Sequence, residues 1–149
     1  MNANEHGDVR VGDVLPGLEA GPISRLDLAL YCGASGDHNP IHVDVDFARR
    51  AGRDDVIAHG MLSMAWLGRM LTQWVPQSAL RRFGVRFVAT TQVGECIRCS
   101  GRVAEIFDVD GERRARIELH ARNQDDQPRL GGEAVIALHS SKLPTRTNR

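Results

Sequence analysis

No run of apolar residues in this 149-residue chain approaches the ~20 needed to cross a bilayer as a helix. Neither basic nor acidic residues are in excess. Nineteen Lys and Arg balance nineteen Asp and Glu, so the basic surplus or stripe typical of a nucleic-acid binder is missing. Cysteine is scarce and odd in number: Cys32, Cys96 and Cys99. The amino terminus, MNANEHGDVR, is polar and lacks the apolar core of a signal peptide. Together these lead to an expectation of a reducing cytoplasm, no membrane span and no nucleic-acid partner. Cys96 and Cys99 have C-x-x-C spacing but fall in a predicted strand, where residues three apart face opposite sides, so a redox or zinc pair is not expected.

What remains is ordinary for one globular domain: 42% hydrophobic and 26% charged residues, with length for one core and too little for two typical domains. No internal repeat is visible. The organisation reads as a flexible N-terminus over 1–7, a domain over 8–142 and a flexible tail over 143–149.

Ser24 followed by Asp27 has the pattern of a capping box, opening a helix to about Ala34. A short helix is predicted from Val45 to Ala51, ending at Gly52, and residues 53–58 read as a connection able to serve as a mobile flap. His59 to Val75 is the longest helical candidate. It is apolar nearly all round, which predicts burial, and Pro76 stops it. Its Met and Trp residues read as core packing.

From residue 80 the period changes to alternation. Phe83, Val85, Phe87 and Ala89 share one strand face, and Gly94 falls in the next turn. Ile97, Cys99, Gly101 and Val103 make a second strand, and Asp110-Gly111 a hairpin turn. Ala115, Ile117, Leu119 and Ala121 make the inward face of a third, while Ala134, Ile136 and Leu138 suggest a fourth. One buried helix with an antiparallel meander is an α+β fold, the helix lying on one sheet face. Two arginine clusters, Arg81/Arg82/Arg86 and Arg113/Arg114/Arg116, read as solvated strand faces, with the phosphates of a carrier as the alternative.

The most informative stretch is Gly36-Asp37-His38-Asn39-Pro40-Ile41-His42. Pro40 fixes its own φ, lacks an N–H and pushes Asn39 out of the helical region. Asp37 and His42 are thus joined by a bent connection, across which a carboxylate and an imidazole can converge on one water. That pairing suits general acid–base chemistry near neutral pH. For an arbitrary D-x-x-x-x-H the plainer alternative is a turn-capping Asp and a partly buried His. His38 and His42 have the i, i+4 spacing of helical metal ligands, with Asp37 adjoining, but Pro40 between them breaks the alignment, so no metal is expected.

The longer segment Tyr31–Ala48, YCGASGDHNPIHVDVDFA, closely resembles the hydratase signature of the MaoC-like family, the (R)-specific enoyl-thioester hydratases and dehydratases. Ala58-His59-Gly60-Met61-Leu62 resembles the same family's approach to its central helix, and the chain's size is similar to its short (3R)-hydroxyacyl carrier-protein dehydratase subunits. The resemblance covers roughly residues 8–142, but its specific part is confined to the two stretches. It implies a single hot-dog fold and reversible hydration of trans-2-enoyl thioesters of coenzyme A or acyl carrier protein to (3R)-3-hydroxyacyl thioesters. It also implies a dimer, homodimeric or heterodimeric.

In that reading Asp37 and His42 are the catalytic pair, and Gly60, at a helix start where N–H groups are unpaired, is the oxyanion donor. The bland role for Gly60 is to ease a tight turn. Asn39 either holds the turn or touches substrate, and the turn is favoured. Tyr31, Ser35 and His59 support the site. No cofactor is expected, because the thioester itself activates Cβ. Two alternatives remain: a hot-dog thioesterase, against which residues 59–75 contain no Asp or Glu, and a non-catalytic acyl-tunnel subunit, against which both Asp37 and His42 are present.

Overall fold

The computed structural model describes residues 9–138. The segments 1–7 and 143–149, expected to be flexible, lie outside the described residues, as do both ends of the predicted 8–142 domain. The helices follow their sequence signals. In α1 (Arg25–Ser35) the Ser24 hydroxyl accepts from the Asp27 N–H and the Asp27 carboxylate accepts from the Ser24 N–H, a complete capping box. Helix α2 spans Val45–Arg50, capped by Asp44. Helix α3 spans Gly60–Trp74, and Val75 before Pro76 is already extended.

Five strands form one antiparallel sheet: β1 (Leu18–Ala20), β2 (Leu80–Phe87), β3 (Ile97–Val109), β4 (Glu112–Arg122) and β5 (Pro128–Ala137). Their order is β1-β3-β4-β5-β2. The alternation rule holds where it was cleanest: Ile97, Cys99 and Val103, and Ala115, Ile117, Leu119 and Ala121, are all buried. Asp110 and Gly111 both take positive φ, the requirement of a tight primed hairpin turn. Helix α3 lies across the sheet, touching β1, β2, β3 and β4. This is the hot-dog arrangement, a sheet wrapped on a central helix.

Four expectations need correction. First, α3 is not buried all round. Ser63, Leu67, Met70 and Leu71 face the sheet, whereas Met61 is 54% exposed and Trp66 and Trp74 are half-buried, because one sheet covers only one side of a helix. Second, β2 ends at Phe87 and excludes Ala89. The N–H groups of Val88 and Ala89 both turn to the Arg129 carbonyl, which ends regular pairing. Third, residues 53–58 are tied down. Asp55 pairs with Arg25, Ile57 N–H donates to the Ile41 carbonyl, Ala58 N–H to that of Thr91, and Val56 and Ala58 are buried. Fourth, Cys96 precedes β3, and only Cys99 lies in it, where burial pushes its thiol up to about 12.

Strand β1 went unseen in the sequence, since three residues are too few to show a period. A bulge in β3 also escaped it. Pairing with β4 shifts between Val103 and Glu105, so Ala104 is the extra residue and Ile106, opposite Ala115, is the next to join the core. No helix among the described residues is long and apolar enough to cross a membrane.

Candidate active site

Helix α1 ends at Gly36, whose φ of 75° is the left-handed value a glycine adopts at no steric cost. The chain then descends through side-chain-to-backbone bonds. Ser35 Oγ accepts from the Asp37 N–H at 3.2 Å, Asp37 Oδ1 from the Asn39 N–H at 3.3 Å, and Asn39 Oδ1 from the Ile41 N–H at 3.1 Å. A single 3-10 turn, Pro40–His42, follows. Ser35 and Asn39 therefore shape the segment. The side-chain oxygen of Asn39 caps the turn.

The bent connection brings Asp37 and His42 together. His42 Nδ1 lies 2.7 Å from the Ile57 carbonyl. A carbonyl only accepts, so Nδ1 carries the proton and Nε2 of the neutral ring keeps its lone pair. Nε2 lies 3.9 Å from Asp37 Oδ2, too far for a direct bond. One oxygen atom about 2.8 Å from each would bridge them. The His42 side chain is 11% exposed and that of Asp37 51%, so the pair opens outward on the carboxylate side.

His59 underlies this pair. Its Nε2–H donates to the Asp37 carbonyl at 3.2 Å, and its ring stacks on His42 with centroids 3.8 Å apart. Tyr31 meets His59 edge-on at 4.9 Å. Burial pushes His59 below the ordinary histidine value, and neighbouring His42 adds to the effect, so His59 is held neutral. Burial, with the charge of Asp37, pushes Tyr31 up, so it stays a phenol. Ser63, one turn along α3, is fully buried. Its hydroxyl and His59 Nδ1 are two buried polar atoms without a protein partner among the described residues.

Gly60 opens α3 beside the pair, where helix N–H groups lack intrahelical acceptors. A Cβ here would sit 2.9 Å from the Phe87 ring. Next to Tyr31 a cleft of about 540 Å³ runs between α1 and α3, lined by Ile23, Leu30, Ala34, Leu62 and Trp66. The site thus offers an imidazole, a carboxylate and a helix N-terminus, and the cleft, which Asp27 also lines, shares Tyr31 with it.

Asp37, His42 and His59 place candidate metal-ligand atoms within 4.8 Å of one another. A ligating imidazole must hold the ion in its own ring plane. Two rings stacked at 3.8 Å and 24° have planes that meet well beyond coordination distance, so this trio does not fit one ion. Most of the clustered arginines are paired with glutamates on the sheet surface: Arg81 and Arg114 with Glu112, Arg116 with Glu105, and Arg82 with Glu133. Two contributors were invisible in the sequence. The Ile57 carbonyl is a backbone group with no side-chain signature, and Ser63 reads as one polar residue in an apolar helix.

Known proteins place this geometry in context. The MaoC like domain matches residues 11–124. The chain is 33% identical over 109 residues to the beta subunit of fatty acid synthase from Saccharomyces cerevisiae, covering 71% of this chain but only 5% of that subunit. It is 28% identical over 118 residues to the 3-hydroxybutyryl-CoA dehydratase of Methylorubrum extorquens, covering 78% and 73% of the two chains. Its backbone superposes on the unliganded R-hydratase PhaJ1 of Pseudomonas aeruginosa with a TM-score of 0.76 at 25% identity, over 97% of this chain and 96% of that one. This chain belongs to the MaoC-like hydratase and dehydratase family.

Proposed function

We propose that the protein is a hydro-lyase that reversibly adds water to trans-2-enoyl thioesters, giving (3R)-3-hydroxyacyl thioesters. The observation that carries this reading is the 3.9 Å gap between Asp37 Oδ2 and a His42 Nε2 whose lone pair is freed by the Nδ1 bond to Ile57. A water in that gap donates one proton to His42 Nε2 while its oxygen attacks Cβ. The π electrons move onto the thioester oxygen, where the Gly60 N–H and the α3 dipole stabilise the charge. The carbonyl reforms as Cα takes a proton from the Asp37–His42 pair. Water is added and no electrons are exchanged, so the step balances without a redox cofactor. His42 is the principal base, and Asp37 orients the water and shares in the proton return.

The carrier is coenzyme A or acyl carrier protein, and the apolar cleft beside Tyr31 suits an acyl chain. The (R) configuration is proposed by likeness to proteins such as the R-hydratase PhaJ1. Partnership through β2, an eight-residue edge strand ending at a half-exposed Phe87, would bury an otherwise open edge. A second copy of the chain is the proposed partner.

The direct test is loss of the conjugated-enoyl absorbance of crotonyl-CoA, with thiol release followed in parallel. Hydration without thiol release, abolished in Asp37→Asn and His42→Ala, is the expected result. Full turnover in both variants would sink the assignment, and thiol release would point to a thioesterase.

A further inference from the structure

A buried ion pair lies outside the site, and the chemistry above does not use it. Glu95, in the loop between β2 and β3, and Arg129, near the start of β5, are 8% and 7% exposed. Arg129 Nε–H donates to Glu95 Oε2 at 2.8 Å, and a terminal guanidinium nitrogen donates to Oε1. Asn123 Nδ2 adds a bond to Oε1 at 3.1 Å, and the Gln92 backbone N–H one to Oε2 at 3.3 Å. A buried pair satisfied this fully is weak evidence for stability, since two well-packed apolar residues often serve as well. It does fix geometry, and the geometry it fixes leads to the site by two routes.

One route runs through the main chain of Glu95. Its carbonyl accepts from the Ile23 N–H at 2.9 Å, and the adjoining Gly94 N–H donates to the Ile23 carbonyl at 2.8 Å. Ile23 immediately precedes Ser24, the cap of α1, and α1 delivers Tyr31, Ser35 and Asp37. The other route runs through the carboxylate. It holds the Gln92 N–H, and Gln92 pairs across from Ile57 while the Thr91 carbonyl accepts from the Ala58 N–H. Ile57 is the residue whose carbonyl holds His42 Nδ1, and the same segment leads into His59 and Gly60. The surface pairs Arg81–Glu112 and Arg116–Glu105 join strands and make no such connection.

We propose that Glu95, held by Arg129, is a positioning residue for the site, a common root of the two arms that set the spacing of the Asp37 carboxylate and the His42 imidazole. The effect on rate rests on the hydratase reading; the effect on His42 does not.

The test uses the full chain, crotonyl-CoA and the His42 Nδ1–H resonance in nitrogen-15-labelled protein. Arg129→Lys keeps the charge but not the two-point contact. The double variant Glu95→Leu with Arg129→Met removes both charges, so neither is left buried alone, and circular dichroism checks that it folds. Ile136→Val, deep in β5, is the control for general loosening. In the first two, kcat is expected to fall roughly 10- to 100-fold. KM should move by less than about threefold. The His42 resonance should shift or broaden, and Ile136→Val should leave rate and resonance as in the wild type. A wild-type kcat with an unchanged resonance in the folded double variant overturns the proposal. If the wild type does not hydrate crotonyl-CoA, the reaction assignment is what fails. The resonance then decides alone: displaced, it upholds the positioning role, and unmoved, it refutes it.

Discussion

In β4, Ala115, Ile117, Leu119 and Ala121 have no exposed surface, whereas every residue from Gly33 to Asn39 is exposed. The first region is fixed by what it packs against. The second is fixed by what it bonds to: a chain of side-chain oxygens on backbone N–H groups two residues away, then one carbonyl beneath His42. Packing is the sum of many contacts that are each small. A hydrogen-bonded turn depends on each member. Stability and chemistry therefore sit on different parts of the chain and should separate under mutation.

The largest separation is expected at the pair itself. His42→Ala or Asp37→Asn should lower the crotonyl-CoA hydration rate by about 10²–10⁴-fold. The unfolding free energy should move by about 1 kcal/mol or less, read from urea denaturation. A large stability loss in either would erase the distinction drawn above. Leu119→Ala is the reverse case: about 2–5 kcal/mol of stability lost, with turnover per folded molecule retained. Denaturation and an activity assay on the same sample measure both.

Gly60 lies between the two regions, at the seam of site and core. Gly60→Val is expected to lower kcat roughly 100-fold by obstructing approach to the helix N-terminus. Adding Phe87→Ala should not restore the rate. Rescue by that second change would mean the glycine only clears the Phe87 ring.

The smallest effect is on pH. His59 is held neutral and its folded value is depressed, so below about pH 6.5 the unfolded chain takes up a proton that the folded chain resists. That contribution to stability is present above this pH and is lost as pH falls through the folded value. His59→Gln should flatten the decline, seen as urea midpoints that change less between neutral and mildly acidic buffer. An unchanged slope would assign the acid sensitivity to other groups.

How legible each region was follows from how it is held. Alternation reports burial directly, so the inward face of β4, the first half of β3 and Ala134 and Ile136 of β5 could be read, as could the Ser24–Asp27 cap and the Pro76 stop. The turn was legible as a turn because Pro40 and Asn39 constrain the backbone locally, and Asp37 and His42 stood out as side chains that can do chemistry. The Ile57 carbonyl, the stacking of His59 on His42 and the link from Glu95 were not legible. They arise where segments far apart in sequence meet, and a single sequence carries no record of such meetings. The exposed flank of α3 misled for a related reason. Apolar periodicity says that a surface is to be covered, not whether this chain covers it.

The bulge in β3 carries a last consequence. A strand has a reading frame of two, and Ala104 shifts that frame by one: Val103 counts inward in one phase and Ile106 in the other. The thirteen residues of β3 are thus two short messages spliced at a single position. Deleting Ala104 would do more than shorten the strand. It would remove the extra residue and the local bend that comes with it, leaving Val103, Glu105 and Ile106 opposite the same partners in one unbroken frame, Val103 and Ile106 both still inward.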